Sequence, residues 1–396
     1  MKFAHSLFLI VGTSVGAGIL ALPLSTASCG FWGSLVALVI TGAFMTYAAL
    51  NMLRARLYFA QGADLDTMSL GLLGARAAWI LRICYLCLLF ALVSMYITVG
   101  ANWIVELSHK HLGMLVPQAT AQIIFTAVVA SIIYSGLGNL AQVNQWITGA
   151  KVLFLLLIIC VSLPEIKPHN LTAFEPREVP ATFSMLLTTF GFSIILPSLA
   201  TYMEGNKRKL TLALGLGSLI IVLIYALWEL VCFGVIGAGT QGLEGIAKLQ
   251  DKGTGVINAL THLVSTPAIQ TFGFGIMLTA VVTSFLGVGQ CLFSYVMDSL
   301  PAHAPRRAPL AILLGFIPPL LLIQLYPAGI TQLLSLAGIF VAIVLGVFPN
   351  VMVLSRPYRK GQSALKRLDV SACAVSLVFF SGCVGYQIWE LLKNGL

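Results

Sequence analysis

Residues 12–25 read Gly12-Thr13-Ser14-Val15-Gly16-Ala17-Gly18-Ile19-Leu20-Ala21-Leu22-Pro23-Leu24-Ser25, and they interrupt an otherwise continuous apolar run. Glycine is a poor helix former, so Gly12, Gly16 and Gly18 beside Thr13 and Ser14 mark a weak point at membrane depth. Backbone leaves a helix there only where protein or a water-filled cavity surrounds it. Secondary transporters use such breaks to hold a substrate near the bilayer midplane. The stretch therefore predicts a broken membrane helix with a small-molecule site at the break.

The rest of the chain supports a membrane setting. It has 396 residues, of which 59% are hydrophobic and 9% charged, and a mean hydropathy of +0.97. Soluble proteins carry roughly 25% charged residues, so this chain has too few to cover a soluble surface. Apolar runs of about 20 residues, the length a bilayer demands of a helix, fall near 4–27, 32–54, 78–105, 118–137, 142–163, 180–203, 210–238, 268–297, 308–326, 330–354 and 369–391. They are long and unalternating, unlike the strands of a membrane barrel. The predicted fold is an all-α integral membrane protein of about eleven transmembrane helices.

The net charge of +9 follows topology and marks no nucleic-acid face. With the N-terminus cytoplasmic, 15 of the 22 basic residues fall on the cytoplasmic side and six on the other, with Lys151 inside a span. That bias is the positive-inside rule. Trp32, Trp79, Trp103, Trp146 and Trp389 fall near span ends, as an interfacial belt requires, and Trp228 does not. The eight cysteines lie almost all within apolar spans. Cys84-Tyr-Leu-Cys87 has redox or metal spacing, but there it reads as two small apolar residues on one helix face. No metal site is expected. Gly16-x-Gly18-x-x-Ala21 fits a dinucleotide fingerprint, which needs a preceding strand and a βαβ unit. It sits in a membrane span, so no cofactor is expected.

The Pro-containing segment 164–179 divides five spans from the next five. Five is odd, so the two halves take opposite orientations, which is an inverted-topology repeat. The expected organisation is a first repeat over 1–163, a linker over 164–179, a second repeat over 180–354, and a loop with an eleventh helix over 355–396. The sixth helix should then also be broken. It contains Thr188-Thr189-Phe190-Gly191-Phe192-Ser193-Ile194-Ile195-Leu196-Pro197-Ser198, again a glycine, a short aliphatic stretch, and a proline close to a serine. Proline removes the hydrogen bond to the carbonyl four residues earlier, so Pro23 should free the carbonyl of Ile19, and Pro197 that of Ser193.

Where a helix stops and restarts, free N–H groups suit an anion and free carbonyls suit a cation. Two adjacent breaks match a zwitterion such as an α-amino acid. Gly16, Gly18 and Gly191 would let backbone approach a carboxylate, and Thr13, Ser14, Thr188 and Thr189 would add hydroxyls. The plain alternative is packing, since Gly12 and Gly16 form a GxxxG pair. Lys151 lies roughly 13 Å into the fifth span at 1.5 Å per residue. It either snorkels to the surface, or its ammonium takes the place of a bound cation and couples substrate to protons. Thr283 and Ser284 in the eighth span offer the competing reading, a sodium site. Glu229 is a second buried charge, expected to partner a hydroxyl or backbone group. Glu204 reads as a gate or surface ion pair.

The two broken helices carry a resemblance. Gly12 to Pro23 is similar to the opening signature of the bacterial aromatic amino acid permeases for tyrosine and tryptophan. Thr189-Phe-Gly-Phe-Ser193, Pro197-Ser198 and Thr201-Tyr-Met-Glu-Gly-Asn206 resemble their second signature. The resemblance implies the fold of the amino acid–polyamine–cation superfamily and proton-coupled uptake of an aromatic amino acid across the bacterial inner membrane. It also implies a coupling role for Lys151, since proton-coupled members carry a lysine in the fifth helix. Phe190 and Phe192, with Tyr96 and Phe285, are the candidate ring-binding walls. The family's His-Gly pair after Phe-Gly-Phe is here Ser193-Ile194, so no role of that histidine transfers. An embedded enzyme is the rival from another class, but the 13 acidic and six histidine residues form no catalytic cluster.

Overall fold

A computed structural model describes residues 2–16, 18–59, 63–135, 140–248, 252–301, 306–326, 330–355 and 367–393. The expected basic loop with Arg356, Arg359, Lys360 and Lys366 lies outside the described residues. Among the described residues the structure is helical. Nine stretches of the described residues are long and apolar enough to cross a membrane. The other two expected spans are the broken first helix, which begins with 13 residues, and the 17-residue α6 (Gln118–Tyr134).

The first span is α1 (Lys2–Ser14) followed, after a break, by α2 (Gly18–Ser25). Then come α3 (Gly30–Arg56), a short α4 (Leu65–Leu73), α5 (Ala75–Leu112), α6 and α7 (Leu140–Ser162). The sixth span is α8 (Val179–Thr189), a tight turn over Gly191–Ile195, and α9 (Leu196–Tyr202). The chain continues through α10 (Lys207–Ile236), α11 (Leu243–Ala247), α12 (Lys252–Val264), α13 (Pro267–Ser299) and α14 (Arg307–Leu325). The tenth span is α15 (Ile330–Val341) and α16 (Phe348–Leu354), joined by a wider π-type turn over Ala342–Val347. The last helix is α17 (Arg367–Lys393).

Both broken spans are as the sequence predicts, but their prolines act differently. Pro23 lies inside α2, so it frees the Ile19 carbonyl, and the Trp228 indole N–H donates to that oxygen at 2.9 Å. This explains why Trp228 leaves the interfacial belt: it is fully buried, while Trp32, Trp79, Trp146 and Trp389 are exposed. Pro197 is instead the second residue of α9. A proline at a helix start removes an N–H that would have no partner anyway, so it begins a helix rather than kinking one. The expected freed carbonyl at Ser193 therefore has no equivalent cause.

Several elements were not expected. The segment 163–178 forms three short turns tied down by backbone bonds, Glu175 N–H to Cys29 O at 3.0 Å and Lys167 N–H to Gly234 O at 2.9 Å. Helices α11 and α12 cover the same face, which lies opposite the N-terminus. Inside the bundle, Asn51 of α3 donates to Asn350 Oδ1 at 2.8 Å, and Asn350 donates to Ser376 Oγ at 3.0 Å. Asn350 also donates to the Gly346 carbonyl at 2.8 Å, satisfying backbone in the wide turn. A polar chain of this kind is tolerated in a membrane because each member has a partner.

Candidate functional site

The two breaks lie side by side at the centre of the bundle, and side chains from two other helices cap the backbone groups they release. In an unbroken helix the Gly16 N–H would bond the Gly12 carbonyl; here it turns to Ser14 O at 2.6 Å. The freed Gly12 oxygen accepts from Lys151 Nζ of α7 at 3.1 Å. Lys151 is fully buried and also donates to Thr283 Oγ1 of α13 at 3.1 Å. Thr283 in turn donates to its own helix, at Thr279 O, 2.7 Å away. The side chain therefore does not snorkel. Its Nζ thus sits against Thr283, a hydroxyl that the sodium reading requires.

Ser14 and Thr189 are the last residues of α1 and α8, and their carbonyls converge on one hydroxyl. Tyr225 OH of α10 donates to Ser14 O at 2.6 Å and lies 3.2 Å from Thr189 O. The phenol ring packs edge-on against Phe190, with centroids 5.5 Å apart. About one turn along α10, Trp228 reaches Ile19 O and Glu229 meets Thr26 Oγ1 at 3.1 and 3.2 Å. Tyr225, Trp228, Glu229 and Cys232 are all fully buried and follow the spacing of one helix face. The sequence reading singled out Glu229 and missed the two aromatic donors. The available signal was three polar groups at that spacing in an otherwise apolar span.

The expected hydroxyls are less free than their residue types suggest. Thr13, Thr188 and Thr189 donate to their own helices, at Leu9 O (2.7 Å), Ser184 O (3.1 Å) and Leu186 O (2.8 Å). Ser14 and Ser193 are buried, and their hydroxyls have no partner among the described residues. Phe190 and Phe192 are buried, Phe190 between α10 and Gly42 of α3. Tyr96 and Phe285 pack together, with centroids 6.4 Å apart.

The glycines of the breaks divide between the two roles weighed from the sequence. A methyl group on Gly12 would lie 2.5 Å from Thr148 Cγ2, and one on Gly16 would lie 2.6 Å from Ser284 Oγ. Both glycines let α1 pack closely on α7 and α13. A methyl on Gly191 would meet nothing within 4 Å, so the second break borders open space. Close by, a cavity of about 250 Å³ is lined by Ile194 and Pro197 of the sixth span, Tyr85 and Arg82 of α5, and Tyr295 and Asp298 of α13. On the N-terminal face the two broken spans are joined by an exposed ion pair, Lys2 to Glu204 at 2.5 Å, and by His5 against Tyr202 OH at 3.1 Å. The Lys2 ammonium holds the Glu204 carboxyl below its usual range.

The Gly16 contact gives a direct test. Gly16→Ala should disrupt the α1–α13 seam, at about 1–3 kcal/mol for overpacking, and lower uptake. Ser284→Ala removes the obstructing hydroxyl and leaves Ser284 Cβ 3.7 Å from the new methyl, which is ordinary contact. The double variant should therefore recover most of the uptake. A double variant as impaired as Gly16→Ala would mean that Gly16 is needed bare for a ligand.

The sequence profile of the tryptophan/tyrosine permease family matches residues 1–389. The chain belongs to that family. Among its relatives, the tyrosine-specific transport system 1 of Haemophilus influenzae is 30% identical over 89% of this chain and 88% of its own length. The tryptophan-specific transport protein of Pseudomonas aeruginosa is 27% identical over 94% of this chain and 91% of its own. The crystal structure of MhsT in complex with L-phenylalanine superposes with a TM-score of 0.63 at 13% identity, covering 94% of this chain and 97% of that one. At that identity the match speaks for the fold, a bundle of membrane helices with inverted halves. The permease is a multi-pass membrane transporter, which sets the enzyme reading aside.

Proposed function

We propose that the permease imports an aromatic amino acid, tyrosine or tryptophan, together with a proton across the bacterial inner membrane, with its N-terminus in the cytoplasm. The relatives specific for tyrosine and tryptophan support the substrate class, and the distribution of basic residues supports the orientation. The repeats run over 1–163 and 180–354, with 355–396 added after them. The substrate's charged groups meet the two breaks, at Thr13, Ser14 and Gly18 in the first and Thr188, Thr189 and Gly191 in the second, while Gly16 seats the first break against Ser284. Phe190 and Phe192 of the second break are the proposed walls for the aromatic ring.

The observation that carries the coupling is the Lys151 ammonium on Gly12 O and Thr283 Oγ1. It bridges the first broken span, α7 and α13, so a change in its charge acts directly on the carbonyl next to the break. A sodium ion at Thr283 and Ser284 would have to displace it. The test is uptake of labelled tyrosine and tryptophan into sodium-free proteoliposomes, with and without an inward proton gradient. Accumulation driven by the gradient is the expected result, and the two rates rank the substrates. Uptake that begins only when sodium is added would overturn the coupling and leave the fold unaffected.

A further inference from the structure

The α10 stripe ends on a group that the coupling reading does not use. Glu229 is fully buried, and its two carboxyl oxygens face the Thr26 hydroxyl at 3.1 and 3.2 Å. Thr26 Oγ1 is also 3.0 Å from Leu22 O, one turn back in the first span. A hydroxyl has a single proton to give. If Thr26 gives it to Leu22, the usual arrangement for a helical threonine, Glu229 must supply the hydrogen for its own contact.

The surroundings favour that arrangement. The other groups facing Glu229 are the Cys29 and Cys232 thiols and the Ser34 hydroxyl. On the segments packed around the outer end of α10, Lys167, His169, Glu178 and His262 are exposed and Glu244 is half-buried. Lys151 is bound at Gly12, on the far side of the break. Among the described residues the ion pairs are Lys2–Glu204, Arg54–Asp369 and Arg82–Asp66, none of which involves Glu229. A bare carboxylate withdrawn from water among hydroxyls and thiols, with no cation, is strongly disfavoured. The neutral acid satisfies both contacts of Thr26, with Glu229 O–H donating to Thr26 Oγ1 and Thr26 O–H donating to Leu22 O.

We propose that Glu229 is a proton-carrying residue of the transport cycle, holding its proton against Thr26 while α2 rests on α10 and exchanging it with water when the two part. In that step the Glu229 O–H bond breaks, the proton passes to water, and the carboxylate gains a hydration shell; nothing is oxidised or reduced. The inference rests on the proton-driven reading above. It places a second proton site on the opposite side of the first break from Lys151: Lys151 meets the break directly at Gly12 O, and the helix that carries Glu229 meets both breaks through Tyr225 and Trp228.

Two readouts on the full-length protein in proteoliposomes test it. The infrared spectrum of the wild type should show a protonated-carboxyl stretch that Glu229→Gln lacks and that Thr26→Val shifts, because the hydrogen bond is gone. Identical carboxyl regions in the three proteins would overturn the proposal. Glu229→Gln should keep exchange of labelled tyrosine within about threefold of wild type and lose about tenfold or more of gradient-driven accumulation. Unchanged accumulation would overturn it, as would equal loss of exchange and accumulation, which marks a structural residue. Wild-type accumulation that needs sodium is a separate failure, visible without any variant, and overturns the proton reading itself.

Discussion

Lys151→Ala is expected to abolish proton-driven accumulation of substrate, lowering it on the order of 100-fold, the upper end of couplings between two sites. The reason is geometric. The break diverts the Gly16 N–H to Ser14 O, and the Gly12 carbonyl it abandons takes the Lys151 ammonium instead. Alanine leaves that buried acceptor unpaired, a cost of about 1–3 kcal/mol, and removes the one charge bridging α1, α7 and α13. Exchange of substrate down its own gradient should survive better than accumulation, because binding at the breaks does not itself require net proton movement. Equal accumulation by wild type and Lys151→Ala would show that the charge plays no part in coupling.

Tyr225→Phe is the second large effect expected. The change deletes one oxygen and keeps the ring that packs on Phe190, so the bundle should fold. Yet that oxygen is where the last carbonyls of α1 and α8 converge, at 2.6 and 3.2 Å. Without it, helix-end carbonyls from both breaks lose their shared partner, a loss of about 1–3 kcal/mol for the donated bond, which corresponds to roughly 5- to 150-fold in rate. Substrate exchange should fall by that factor with little change in the thermal midpoint of the purified protein. Wild-type exchange in the variant would mean that the tyrosine merely fills space. A collapsed midpoint would mean that it serves folding rather than the site.

The broken helices were legible in the sequence because glycine and proline act on the backbone locally. Gly12 to Pro23 predicted a break and a freed Ile19 carbonyl, and Trp228 caps that carbonyl. Lys151 stood out because a charge inside an apolar span needs a reason, although the sequence left its ammonium competing with sodium at Thr283. What stayed hidden depended on partners distant in the chain. Tyr225 looked like one more aromatic in an apolar span, since nothing local says that it reaches Ser14 from 211 residues away. Pro197 looked like Pro23, but a proline's effect depends on whether it falls inside a helix or at its start. Which glycine is filled by a neighbour and which borders open space, as at Gly16 and Gly191, is likewise a property of the packed bundle.

The central claim is that substrate and proton move together. Its most direct test is the internal pH of sodium-free proteoliposomes carrying the wild-type protein, followed with a trapped pH dye when tyrosine or tryptophan is added outside. Co-transport predicts that the lumen acidifies as labelled substrate enters, in fixed proportion to it, and that Lys151→Ala gives no such acidification. Substrate entering with no change in internal pH, or entering only with sodium, would contradict it.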